Sequence, residues 1–226
     1  MPQPRLQFLL CLLAYTLVLR VLPYVLMNCD LKSDPSVLYY PWNFSPMTAV
    51  CLFGGACLAN RRVGFLIPLA TLFLSDLGIA VVSGHLEWAL PVTASGELTF
   101  ARLVNWSFTY VSFSLAVALG RLLRNRRPIR VSTHAIAMGL GFETVFFLVS
   151  NFLVWTNCGN STTPIYPYTA AGLVSCYVAG LPFFGKSLLG TTAFTVLLFS
   201  PLGVRAATDE HTEPMTGELE LVRTNR

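Results

Sequence analysis

Residues 6–27 form a nearly unbroken apolar run of 22 residues in which Arg20 is the one charge. A helix of about 20 apolar residues crosses a hydrocarbon core of about 30 Å. A basic residue, Arg5, precedes the run as it would in a signal peptide. However, the run is long, carries no A-x-A cleavage pattern and is followed directly by further apolar stretches, so it reads as a retained span. Three more runs of spanning length follow at 63–83, 100–122 and 131–155. A shorter run, 46–59, is rich in small residues and bounded by Pro46 and by Asn60-Arg61-Arg62. The last apolar region, 168–204, is too long for one simple span, and Pro182 divides it. The expectation is a short or re-entrant helix over 168–181, then a final span over 182–204.

Composition agrees. Charged residues are 12% of the chain, about half the share of a soluble domain, and apolar residues are 54%. This excludes a soluble enzyme, a disordered chain and a fibrous repeat, and it makes the lipid bilayer the first partner.

Arginine placement tests the count of spans. With six helices and the N-terminus inside, one face carries 11 arginines: Arg5, Arg61, Arg62, Arg121, Arg124, Arg126, Arg127, Arg130, Arg205, Arg223 and Arg226. The other face carries only Lys32 and Arg102. Removing the short second span would place the 121–130 cluster opposite Arg5. The fold class expected is therefore an all-α membrane protein, a six-helix bundle over 1–205 with both termini cytoplasmic. A mobile cytoplasmic tail over 206–226 completes the chain, and the location is a bacterial inner membrane crossed several times.

The outer loops 28–45, 84–99 and 156–167 hold Asp30, Asp34, His85, Glu87 and Glu97, with Tyr39, Tyr40, Trp42, Trp88 and Tyr166. Some of these aromatics serve as interface anchors. Cys29 and Cys158 fall on the same outer side, where the compartment permits a disulfide. Asn43-Phe-Ser and Asn160-Ser-Thr match the glycosylation sequon, a pattern common by chance.

Four ionisable residues lie within the spans: Arg20, Asp76, Glu143 and Lys186. Each costs roughly 2.5–3.5 kcal/mol at the bilayer centre, so such residues turn inward and find partners. Pairs such as Arg20–Asp76 or Lys186–Glu143 would fix helix packing. Lining a polar cavity open to the outside is the functional alternative, which the outer-half position of Arg20 and Asp76 favours. Asn151 adds an uncharged polar group near the outer end of the fifth span. No G-x-S-x-G, H-E-x-x-H or P-loop is present, and no Cys/His spacing suggests a metal, so neither an enzyme nor a cofactor is expected.

Small residues recur every four positions at Cys51, Gly55 and Ala59, and at Ala135, Gly139 and Glu143 on the fifth span. Such ladders allow close helix approach or docking of a partner membrane protein.

A set of short motifs runs from about residue 16 to 200. It comprises Arg20-Val-Leu-Pro23, Asn43-Phe-Ser-Pro46, Leu52-Phe-Gly-Gly55, Pro68-Leu69, Ser75-Asp76, Asn151-Phe-Leu-Val-Trp155, Tyr166-Pro167-Tyr-Thr169, Cys176-Tyr177 and Leu181-Pro-Phe-Phe184. In combination the set resembles a bacterial domain-of-unknown-function membrane family, number 6580, whose only suggested role is transport. That family in turn is similar to the S components of energy-coupling-factor vitamin transporters. The resemblance implies a six-helix protein with a ligand pocket near the outer face, served by a separate coupling protein and ATPases. It also implies that Asn43, Ser45, Asp76, Asn151 and Trp155 share a pocket or motif role. Two positions depart from that pattern. Thr191 follows Gly190 where an acid is expected, and Val18 stands four residues after Ala14 where a docking face would carry a second alanine.

The functional expectation is a protein that binds or transports an unknown small molecule through Arg20, Asn43, Ser45, Asp76, Glu143, Asn151 and Trp155. Pro46 and Ser45 would open a helix there and aim its N–H groups at a ligand. Energising subunits are a possible partner, and nucleic acid is not. A structural or assembly protein without a ligand is the alternative. An ion-coupled carrier acting alone fits less well, since no internal repeat is visible.

Overall fold

A computed structural model describes residues 6–29, 43–58, 60–124, 128–158 and 164–207. Seven α-helices are present among them: α1 (Leu6–Asn28), α2 (Met47–Cys57), α3 (Arg61–Ser83), α4 (Phe100–Arg121), α5 (Pro128–Cys158), α6 (Ala170–Leu198) and α7 (Pro201–Ala207). A 3-10 turn, Leu86–Trp88, stands between α3 and α4. Among the described residues, α1, α3, α4, α5 and α6 are long and apolar enough to cross a membrane. Their outward faces carry Val18, Leu66, Val111, Val145 and Val178, all exposed, as lipid contact requires. The chain is a multi-pass membrane helical bundle.

One expectation about the elements is refined and one is corrected. The short apolar run 46–59 is an 11-residue helix, about 16 Å long at 1.5 Å per residue, half of a bilayer core. Its residues Met47–Ala56 are all buried, in contrast to the long helices, where 11–33% of the most apolar window is buried. Helix α2 is thus an enclosed rod, not a lipid-facing span. The correction concerns Pro182, which does not divide the last apolar region. Helix α6 continues through it to Leu198, and the break comes at Phe199-Ser200, before Pro201 opens α7. Proline removes one backbone hydrogen bond, whereas ending a helix in lipid would strand several N–H and C=O groups. Pro23 and Pro68 lie inside α1 and α3 for the same reason.

Side-chain contacts fix the directions of the helices. Arg20 meets Asp76 and Asn28 donates to the Val82 carbonyl, so α1 and α3 run parallel. The connection between them therefore returns from one end of the bundle to the other, and α2 is its described helical part. Tyr110 on Asp76, with Arg121 beside Gly64, makes α4 antiparallel to α3. Glu143 with Ser187, and Ser132 with the Phe199 carbonyl, make α5 and α6 antiparallel.

The core is built around α2. One side, Val50, Leu52, Phe53 and Ala56, packs with Leu123, Ala135, Phe194 and Leu198. The other, Met47 and Cys51, packs with Leu72, Phe113, Val117 and Phe142. Two glycines set the crossing with α4. A Cβ on Gly55 would stand 2.0 Å from the Val117 carbonyl oxygen, and one on Gly120 would stand 2.1 Å from that of Leu52. The two backbones touch directly.

Arginines gather at one end: Arg61 and Arg62 open α3, Arg121 closes α4, and Arg124 donates to the Leu58 carbonyl. The opposite end carries the 3-10 turn and the start of α4. Cys29 and Cys158 are free thiols. Residues Asp30, Lys32, Asp34, Tyr39, Tyr40, Trp42, the Asn160 sequon and the tail beyond 207 lie outside the described residues.

Candidate ligand cavity

The cavity forms where α1, α3 and α4 diverge at the end away from the arginine cluster. Its floor is an ion pair. Arg20 Nη2 donates to Asp76 Oδ1 at 2.5 Å, and both side chains are under a fifth exposed. Burial alone would make either charge costly, and pairing offsets that cost. The α1–α3 approach that brings them together depends on Gly78, where a Cβ would meet Val21 Cγ2 at 3.0 Å. From α4, Tyr110 Oη donates to Asp76 Oδ2 at 3.2 Å, so both carboxylate oxygens accept a bond.

The wall is α4. Thr99 caps this helix by accepting from the Arg102 N–H. Successive turns then present Arg102, Asn105 with Trp106, and Thr109 with Tyr110 toward the cavity. The Trp106 and Tyr110 rings lie 4.4 Å apart, tilted.

The roof is the 3-10 turn, held down at three points. Trp106 Nε1 donates to the Ala89 carbonyl at 3.1 Å, Arg102 Nη1 to the Glu87 carbonyl at 3.3 Å, and Tyr24 packs edge-on against Trp88. Glu87 also accepts from the His85 ring at 2.9 Å. Its own backbone N–H, and then His85 and Arg102, hold its carboxyl below the usual carboxylate range.

The cavity is an open cleft of about 760 Å³, within the range of small-molecule sites, and the lining mixes aromatic walls with a few polar groups. Arg20 and Arg102 face Asp76 and Glu87, so the lining charges balance. Among the described residues no group of His, Cys, Asp and Glu is placed to hold a metal.

The residues singled out from the sequence do not share one site. Arg20 and Asp76 line the cavity, and the other five stand elsewhere. Glu143, 7% exposed, lies between α2, α5 and α6. It accepts from Thr48 Oγ1 at 2.6 Å, Thr191 Oγ1 at 2.7 Å and Ser187 Oγ at 2.5 Å. Asn43, at φ +56°, and Ser45 form the turn into α2. Ser45 Oγ accepts from the Met47 N–H, and its backbone rests on α6 at Gly190, where a Cβ would come within 3.1 Å of the Ser45 nitrogen. Asn151 donates to Phe147 within α5 and leaves no room for a side chain at Gly180, where a Cβ would lie 2.6 Å from Asn151 Oδ1. Trp155 Nε1 donates to the Pro167 carbonyl at 3.0 Å and thereby ties the loop before α6 to α5.

Sequence reasoning passed over Tyr24, Arg102, Asn105, Trp106, Thr109 and Tyr110. A signal was present in α4: polar and aromatic residues at 102, 105, 106, 109 and 110 recur at helical spacing along an otherwise apolar span.

A family model described as a family of unknown function, DUF6580, matches residues 1–211. No curated protein and no solved structure matches the chain.

Proposed function

The chain belongs to the DUF6580 family, and on the geometry above we propose that it is a membrane protein that captures a small molecule in the cavity over Arg20 and Asp76. One observation carries this reading. A volume of about 760 Å³ lies over a charged floor and beside aromatic walls, at the end of the bundle opposite the cluster of Arg61, Arg62, Arg121 and Arg124. In this reading the chain crosses the membrane six times, with α2 completing the second crossing, and the arginine-rich end is cytoplasmic. The cavity then faces outward in the bacterial inner membrane. The chain is a binder, not a catalyst. Any active transport draws on separate energising proteins in the manner of S components, because no phosphate-binding loop is present.

A second reading has its own support. Both oxygens of Asp76 are already occupied by Arg20 and Tyr110, as in a network that only holds helices together for structure or assembly.

Native mass spectrometry of the protein, gently released from its host membrane, separates the two. A retained small molecule that Asp76→Asn abolishes, with thermal stability little changed, supports capture. A bare protein, together with a large stability loss in Asp76→Asn, supports the structural role.

A further inference from the structure

The charged groups of the cavity differ in how much hydrogen-bonding capacity they have left. Three of the four carboxylate oxygens have a partner: Asp76 Oδ1 in Arg20, Asp76 Oδ2 in Tyr110 and Glu87 Oε1 in His85. The arginines have committed a smaller share of their donors. Of the several N–H groups on a guanidinium, Arg20 commits one on Nη2 to Asp76; its Nε, without a partner among the described residues, is buried away from the open space. Arg102, at the rim, commits one on Nη1 to the Glu87 carbonyl. Net charge is balanced, but at the floor, where both Asp76 oxygens are engaged, the larger unsatisfied capacity is cationic donor capacity. A ligand that leaves buried donors unpaired loses affinity, and one that supplies acceptors gains it. The remaining wall is aromatic, with Trp106, Tyr110, Tyr24 and Trp88 around the same space. Such faces favour a flat ring.

Resting on the capture reading, we propose that the ligand class is a planar aromatic acid whose carboxylate meets the Arg20 guanidinium at the floor while its ring lies against the Trp106–Tyr110 wall. Amines are disfavoured, since an ammonium brings donors to a site already rich in them.

The test uses the full chain in nanodiscs and three probes that share a ring and differ in head group: phenylacetate, phenylacetamide and phenethylamine. Calorimetry should rank phenylacetate tightest, the amide about tenfold weaker and the amine undetectable, as charge-assisted bonds outweigh neutral ones. Arg20→Lys keeps a cation beside Asp76 but loses the planar fork. It should weaken phenylacetate about tenfold and leave the amide within about twofold. Should Arg20→Lys fail to fold, Arg102→Gln at the rim should weaken phenylacetate in the same selective way. Equal or tighter binding of phenethylamine overturns the class, as does loss of both phenylacetate and amide in parallel. Native mass spectrometry of the same preparation keeps the two levels apart. A retained cationic or purely aliphatic molecule refutes the acid class while leaving capture standing. Silence from all three probes with no retained molecule removes both.

Discussion

Helix α2 and helix α4 meet backbone to backbone at Gly55 and Gly120, which makes Gly55→Ala the sharpest test of the packing that positions the cavity wall. The new methyl would lie 2.0 Å from the Val117 carbonyl oxygen and 3.0 Å from its carbon. Ordinary carbon–oxygen contact begins near about 3.3 Å, so the helices must part by about 1 Å. A gap of that size forfeits about a quarter to a half of each dispersion contact along the seam. Overpacking of this kind costs about 1–3 kcal/mol. Because the obstacle is backbone and not a flexible side chain, the upper part of that range applies, a loss of about thirty- to hundredfold in the folded ratio. Gly141 on α5 has nothing within 4 Å of an added Cβ and serves as the control. Denaturation in mixed detergent, followed by circular dichroism, should show Gly55→Ala strongly destabilised and Gly141→Ala unchanged or slightly stabilised. Gly120→Ala relieves its clash with the Leu52 carbonyl by the same separation. The double variant should therefore cost less than the sum of the two. Indistinguishable midpoints for Gly55→Ala and Gly141→Ala would refute the close crossing.

Three further outcomes are expected. Glu143→Gln should lower stability by about 1–3 kcal/mol, because it weakens three hydroxyl bonds, two of them fully buried. It should leave phenylacetate binding intact, since Glu143 is not among the cavity residues; lost binding with normal stability would contradict that placement. Trp106→Phe removes the bond to the Ala89 carbonyl, and hydrogen exchange over 86–90 should rise several-fold while the flanking helices stay protected; unchanged exchange would mean that Trp106 does not hold the roof. Glu87 has a depressed carboxyl pKa in the folded protein, so its hold on His85 is present above the usual carboxylate range and is lost only as pH falls below it. The emission of Trp88, which stacks on His85 at 4.9 Å, should shift in that acid window, and Glu87→Gln should abolish the step.

The apolar runs revealed the long helices because lipid tolerates almost nothing else, and four of the six expected spans differ from α1, α3, α4 and α5 only at their ends. Pro182 misled because proline's effect in water does not carry over to a bilayer. The shortness of α2 was legible in the run 46–59; its enclosure was hidden because burial by protein and burial by lipid select the same apolar residues. Within the candidate site, Arg20 and Asp76 were legible as charges that must find partners, and they found each other. Glu143 was legible for the same reason but satisfies itself with hydroxyls on α2 and α6, which no spacing in the chain announces. Thr191 follows Gly190 where an acid was expected, and its hydroxyl goes to Glu143. The aromatic wall was readable in α4 only as a faint stripe, because Trp and Tyr are equally at home as interface anchors.

The enclosure of α2 carries a consequence for biogenesis. A segment about 16 Å long cannot hold itself in a bilayer, so its place depends on neighbours made after it. Helices α3, α4 and α6 all emerge later in synthesis, and α6 supplies Gly190, against which the turn into α2 rests. A nascent chain halted after α5 would leave that turn without its seat. Maturation of the bundle therefore waits on its last long helix, and chains truncated before Ala170 should be substrates for membrane quality control even though every earlier long helix is complete.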